Sequence, residues 1–182
     1  MPALQQILMS GETAPIKILE LGSGCGVVGI ALATWFSNCK VWLTDQIDAQ
    51  ELLSRNIELA SPAKRSSLMA RTLDWFEETD ISMLKPGFDL VVVSDCIYNA
   101  DSCPALVKKL TELCSRWPAL KIFIARKKRH ESEQIFFTLM QEAQLQVLEQ
   151  TTIELEDHGS PDLVEEAPRI EFYLYSAAND RS

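Results

Sequence analysis

From Glu20 to Gly29 the chain reads Glu-Leu-Gly-Ser-Gly-Cys-Gly-Val-Val-Gly, and glycines at alternate positions have a chemical use. They let the backbone turn sharply after a strand and pass close to a ligand. A helix that follows such a turn presents unpaired N–H groups to that ligand. Two registers compete. Gly24-x-Gly26-x-x-Gly29 is formally a dinucleotide fingerprint, but it requires the strand to run on through Gly22 and Ser23. If the turn begins at Gly22, the third glycine of that pattern falls on Val27 and the match fails. The pattern acidic-x-Gly-x-Gly-x-Gly fits from Glu20 through Gly26 without adjustment. A tight turn with no ligand is the bland alternative, and it has no need of three alternating glycines.

The second pattern is the form found in S-adenosylmethionine-binding Rossmann-like domains, which favours that ligand over a nicotinamide or flavin dinucleotide. Asp45 closes the next apolar run. A carboxylate there can accept both hydroxyls of a ribose, which suits an adenosine-containing ligand of either kind. It could equally cap the following helix.

The elements that position these residues alternate. Residues 16–21 form a short apolar run ending at the glycines, a buried strand, and residues 27–36 are apolar at helical spacing. Strand 39–44, helix 49–60 with Pro62 just beyond its end, and a weaker strand 68–73 follow. The run 88–94, Phe-Asp-Leu-Val-Val-Val-Ser, is the strongest strand and reads as central, parallel and buried on both faces. Helix 102–116 carries Pro104 in its first turn, where it is tolerated. Strand 121–125, helix 132–143 and strands 145–155 and 170–176 complete the chain. With no helix between them, the last two strands should pair antiparallel. The fold class is therefore α/β: a Rossmann-like, doubly wound, seven-stranded sheet, mostly parallel, with an antiparallel C-terminal hairpin strand. No repeat, low-complexity tract or linker divides it, so residues 1–182 are expected to form a single domain.

Bulk properties bound the function. The chain has 182 residues, 47% of them hydrophobic, enough for a core. Its net charge of -9, from 17 basic and 26 acidic residues, makes it a poor general binder of phosphate backbones. Nucleic acid is not an expected partner. Five cysteines without a C-x-x-C pair argue against a disulfide framework or zinc cage and for reduced thiols. The first residues do not resemble a signal peptide, and no apolar run reaches transmembrane length. A cytoplasmic protein is expected, with the nucleus as an alternative, without a membrane partner and monomeric.

After the strongest strand come Ser94-Asp95-Cys96-Ile97-Tyr98-Asn99. Together with the glycine loop, Asp45 and Asp74-Trp75 after the third strand, this segment resembles the family 16 seven-strand methyltransferases. Their signature is an acidic residue, two spacers and an aromatic after the fourth strand, here Asp95-x-x-Tyr98. The resemblance extends from about residue 4 to residue 176. It implies a protein-lysine N-methyltransferase that uses S-adenosylmethionine and acts on a protein such as an elongation factor or chaperone; the alternatives are a methyltransferase of arginine or of a small molecule, or a catalytically impaired interaction module. It further implies that Glu20, Gly22, Ser23, Gly24 and Gly26 line the methionine part of the cofactor. Asp45 would hold the ribose, and Asp74 would face the adenine amino group with Trp75 alongside. Ser94 would lie near the methionine end, and Asp95 and Tyr98 would shape the acceptor pocket as its catalytic residues.

Methyl transfer needs alignment more than acid catalysis. A lysine amine, with a pKa of about 10.4, must lose its proton before it attacks. Burial against an aromatic surface helps, whereas a carboxylate favours the cation. Asp95 is therefore expected to orient and capture the substrate, not to act as a strong base. The alternatives are a turn cap for Asp95 and a core aromatic for Tyr98.

Other features are less specific. The basic run Arg126-Lys127-Lys128-Arg129 reads as a solvated loop or a patch for an acidic partner. The acidic segment 156–166 reads as a solvated loop or an attractor of basic peptide. His130 and His158 are in no metal-ligand pattern, so no metal is expected. Trp35, Trp42 and Trp117 read as structural. Relatives carry an N-terminal hairpin and a tryptophan-containing segment before the helix expected at 4–9, parts that help to cover the cofactor. Here Met1 falls within that helix.

Overall fold

The computed structural model describes residues 1–9, 14–78, 81, 84, 87–129, 133–155 and 169–178. The strands are β1 (Ile16–Leu21), β2 (Cys39–Asp45), β3 (Leu68–Thr72), β4 (Leu90–Ser94), β5 (Lys121–Lys127), β6 (Leu145–Glu154) and β7 (Arg169–Ala177). The helices are α1 (Pro2–Met9), α2 (Val27–Trp35), α3 (Gln50–Leu59), α4 (Pro62–Arg65), α5 (Cys103–Arg116) and α6 (Gln134–Glu142). All seven strands form one sheet in the order β3-β2-β1-β4-β5-β7-β6. The first five pair in parallel, and β7 is antiparallel to both β5 and β6. This is the expected fold class.

Side chains on successive strand positions point to opposite faces, and the core divides accordingly. Leu19, Leu21, Val91 and Val93 pack into the layer shared with α5 and α6. Ile16, Ile18, Leu90 and Val92 pack into the opposite layer, where α1, α2 and α3 contribute. Helix α2 is apolar all round, yet its buried residues are the small ones, Gly29 and Ala33, spaced one turn apart. That stripe lets the helix lie close to β1 and β2.

Several local expectations shift. Pro62 does more than follow a helix: it opens the short α4 from Ser61, a first-turn position that suits a residue without an N–H. Phe88 lies outside β4. It is buried between Trp42 and Trp117, with edge-on ring separations of 5.0 and 5.2 Å. Those two tryptophans are structural, but Trp35 is 77% exposed at the end of α2 and is not. Strand β5 runs two residues past the expected end, taking in Arg126 and Lys127. All five cysteines are free. Among the described residues no helix is long and apolar enough to cross a membrane. The acidic segment 156–166, His130 and His158 lie outside the described residues.

Candidate functional site

Strands β1 and β4 are parallel neighbours, with Leu21 opposite Val93. From β1 the chain builds outward through β2 and β3; from β4 it builds the other way. A crevice opens beyond the carboxyl ends of the strands at such a switch point. A cavity of about 290 Å³ lies here. Of the eleven site residues expected from sequence, Gly22, Gly24, Asp45, Asp74, Trp75, Ser94, Asp95 and Tyr98 border it. Glu20, Ser23 and Gly26 are not among its lining residues.

Those three shape the loop. Gly22, Gly24 and Gly26 all have positive φ, between 54° and 80°, which accounts for glycine at alternate positions. At Gly22 a Cβ would stand 2.7 Å from the Cys96 sulfur and 2.8 Å from the Trp75 ring, so the loops after β1, β3 and β4 meet there. At Gly24 a Cβ would meet nothing within 4 Å, which leaves this stretch of backbone open to the cavity. The Ser23 N–H donates to the Thr44 carbonyl at 3.0 Å and ties the loop to β2.

Glu20 turns away from the cavity. Its carboxylate accepts the Gly29 N–H at 3.0 Å, in the first turn of α2, where an anion is favoured. One first-turn N–H of the helix is therefore taken by the chain's own carboxylate. Burial pushes the Glu20 carboxyl up from 4.5 to about 7. The folded state thus holds a proton that the unfolded chain has released between those two pH values. The contribution of this group to stability is greatest below 4.5, falls as pH rises through that window and levels off above 7. Glu20→Gln keeps an acceptor for Gly29 and removes the titration. Denaturant midpoints from pH 4.5 to pH 8 should flatten in the variant, with a gain at pH 8 on the order of 3 kcal/mol at most. An unchanged slope would show that Glu20 does not titrate in this window.

Both Asp45 oxygens engage the backbone. Oδ2 accepts the Gly24 N–H at 2.7 Å and Oδ1 accepts the Gln46 N–H at 2.8 Å. Each oxygen retains a further lone pair, and Asp45 lines the cavity. Asp74 accepts the Phe76 N–H at 2.9 Å and the Gln46 side-chain amide at 3.3 Å, which links the loops after β2 and β3. The buried ammonium of Lys109 donates to the Glu77 carbonyl at 3.3 Å and fastens that second loop to α5.

On the β4 side, Asp95 has φ 56°, a left-handed conformation tolerated by aspartate but uncommon outside glycine. Its two oxygens accept from the two terminal nitrogens of Arg129, each at 2.7 Å. This guanidinium holds the Asp95 carboxyl below its ordinary value. The Cys96 thiol is pushed up to about 12 by burial, so it is a packing group and not a nucleophile. Tyr98, 62% exposed, stands on the rim together with Phe76, 64% exposed.

The basic run is neither a free loop nor a uniform patch. Arg126 is buried and bonds Glu171 at 2.8 Å and Glu133 at 3.2 Å, and its guanidinium lies 4.5 Å from the centre of the Phe137 ring. Arg129 reaches Asp95. Glu133, just before α6, also offsets the positive charge that would otherwise oppose that helix's dipole.

A sequence model of the lysine methyltransferase family matches residues 3–143. The chain belongs to the lysine methyltransferase family. Its relatives include a UPF0665 family protein of Schizosaccharomyces pombe, 36% identical over 68% of this chain and 37% of that protein. Another is protein-lysine N-methyltransferase EFM6 of Saccharomyces cerevisiae, 36% identical over 66% of this chain and 53% of that protein. The chain thus spans about a third to a half of the length of these two relatives. Among solved structures, the N-methyltransferase NodS of Bradyrhizobium japonicum, bound to S-adenosyl-L-homocysteine, superposes with a TM-score of 0.64. That match covers 97% of this chain and 85% of NodS at 14% identity, so it speaks to the fold.

Sequence reasoning missed Gln46, Leu73, Phe76, Cys96 and Ser102 among the lining residues. Gln46 and Phe76 directly follow residues it did select, and that adjacency was the available signal. It also missed Arg129 as the partner of Asp95. A wider groove, about 870 Å³, lies between α6 and the β6–β7 pair, away from the glycine loop. It has none of the switch-point geometry.

Proposed function

We propose that the protein transfers a methyl group from S-adenosylmethionine to a lysine side chain of a protein substrate, in the cytoplasm or nucleus. An elongation factor or a chaperone is the acceptor that the family resemblance implies. The observation that carries this reading is the charge of the cavity. Asp45, Asp74 and Asp95 line it, the last paired with Arg129, and none of the described residues that line it is Lys, Arg or His. A dinucleotide brings a pyrophosphate, which needs free helix N–H groups or cations. Here Glu20 occupies a first-turn N–H of α2 and adds acidic character. An adenosine carrying a sulfonium suits such a site.

In this reading the open backbone at Gly24 and the Gly22 turn make room for the methionine part, with Ser94 at its far end. Asp45, already fixed by two N–H donors, uses its remaining lone pairs for the ribose hydroxyls. Asp74 accepts from the adenine amino group and Trp75 packs beside the ring. Glu20, Ser23 and Gly26 act indirectly, by holding the loop. The bound cofactor supplies an electrophilic methyl group on sulfur, which an amine lone pair can take as the S–C bond breaks. Tyr98 and Phe76 exclude water around the acceptor side chain, and Asp95 orients it.

Titration calorimetry with S-adenosylmethionine and S-adenosylhomocysteine tests the cofactor, with micromolar binding of both expected and NADH as the negative control. No heat with either, in folded protein, would reject the reading. Methylation of a lysate with tritiated S-adenosylmethionine, mapped by mass spectrometry, tests the acceptor. Label on arginine, or only in the small-molecule fraction, would reject lysine.

A further inference from the structure

We propose that Arg129 is the residue that cancels the charge of Asp95, so that the pocket receives the acceptor lysine as a neutral amine. The inference rests on the function proposed above and resolves a conflict within it. An unopposed carboxylate beside the acceptor would hold lysine as ammonium, the form that cannot attack. The structure places a forked guanidinium on that carboxylate, two bonds of 2.7 Å, the bidentate geometry for which arginine is suited and lysine is not. Arg129 is braced in turn. Its backbone N–H donates to Glu133 at 3.3 Å, and its guanidinium to the Lys127 carbonyl at 3.3 Å.

The surroundings agree in sign. Arg129 and Lys127, from the end of β5 and just beyond it, face Asp95 among the described residues, with Glu133 from the start of α6 beside Arg129. Asp45 and Asp74 border the same cavity from the loops after β2 and β3. Glu20 lies one residue before the end of β1, and Cys96 and Tyr98 share the Asp95 loop. With Asp95 itself counted, two cations stand against two anions there, so the local charge is balanced and does not favour a further cation. The acceptor ammonium gives its proton to water. Asp95 remains ionised, with lone pairs free to orient the amine N–H.

The test compares wild type with Arg129→Gln and Arg129→Lys. Its first readout is carbon NMR titration of the Asp95 carboxyl, which requires no turnover. In Arg129→Gln the midpoint should rise toward the ordinary carboxyl value. The second is the pH profile of kcat, with saturating amounts of the acceptor protein mapped in the labelling experiment, because kcat reports groups in the complex. The rising limb should move up by about one unit, so kcat at pH 7.5 falls about tenfold. KM should fall as well, since ammonium is then held more tightly. Arg129→Lys should restore most of the limb. S-adenosylmethionine affinity checks that the variants are folded.

An unmoved carboxyl midpoint would overturn the inference, as would a kcat lowered equally at every pH. A lower KM with an unmoved limb would make Arg129 a mere competitor and would equally overturn it. If wild type methylates no lysine, the proposed function falls and takes this inference with it. The carboxyl titration distinguishes that failure, because it still reports the Asp95–Arg129 pair.

Discussion

Replacing Asp45 by alanine should weaken S-adenosylmethionine binding about a hundredfold, a change that calorimetry would read directly. The carboxylate does two things at once in the proposed complex. It offers charged acceptors to two ribose hydroxyls, each hydrogen bond to a charged group being worth about 1.5–3 kcal/mol. It also fixes the Gly24 N–H at 2.7 Å, so its loss loosens the loop that borders the ligand. Together these exceed the roughly 2.7 kcal/mol that corresponds to a hundredfold change. Asp45→Asn retains one oxygen and should lose about tenfold. An alanine variant within threefold of wild type would remove Asp45 from the ribose and, with it, the proposed orientation of the nucleoside.

Gly29→Ala should destabilise the protein by about 2 kcal/mol, against the usual trend. Alanine in place of glycine inside a helix normally gains up to about 1 kcal/mol. Here the added Cβ would lie 2.1 Å from the Leu43 Cδ2, 2.6 Å from the Glu20 Oε2 and 3.0 Å from the Val41 Cγ1. Leu43 and Val41 are fully buried, so neither can swing aside without disturbing β2. The clash would push α2 away from the sheet and break the Glu20–Gly29 bond. A drop in melting temperature of about 4–8 °C is expected. Thr34→Ala, on the exposed side of the same helix, should stay within about 0.5 kcal/mol. A stabilised Gly29→Ala variant would show that α2 does not approach the sheet this closely.

Gly29 also settles what the dinucleotide-like glycine register meant. Its spacing imitates the dinucleotide fingerprint, whose third glycine serves close helix–strand packing. That packing role is the part that holds here. The N–H that could have met a phosphate bonds Glu20 instead.

The strands, their order along the chain and the glycine loop were legible in the residues because each depends on local information. Periodicity of apolar side chains, glycines where φ must be positive and proline at helix starts all act within a few positions. The candidate site was legible to the same extent. Gly22, Asp45, Asp74 and Asp95 stand at the carboxyl ends of strands, and parallel pairing brings such ends to one edge.

What the tertiary structure alone decided are the pairings between distant segments. Arg129 meets Asp95 across 34 positions, and Arg126 meets Glu171 across 45. A run of four basic residues gives no local sign that two of them are bound internally. Nor does any periodicity place β7 between β5 and β6, send Glu20 back to the helix after its own strand or bring Phe76 and Tyr98 to one cavity. The reason is physical: charge and burial depend on what the fold brings within a few ångströms, and short-range sequence order does not carry that distance.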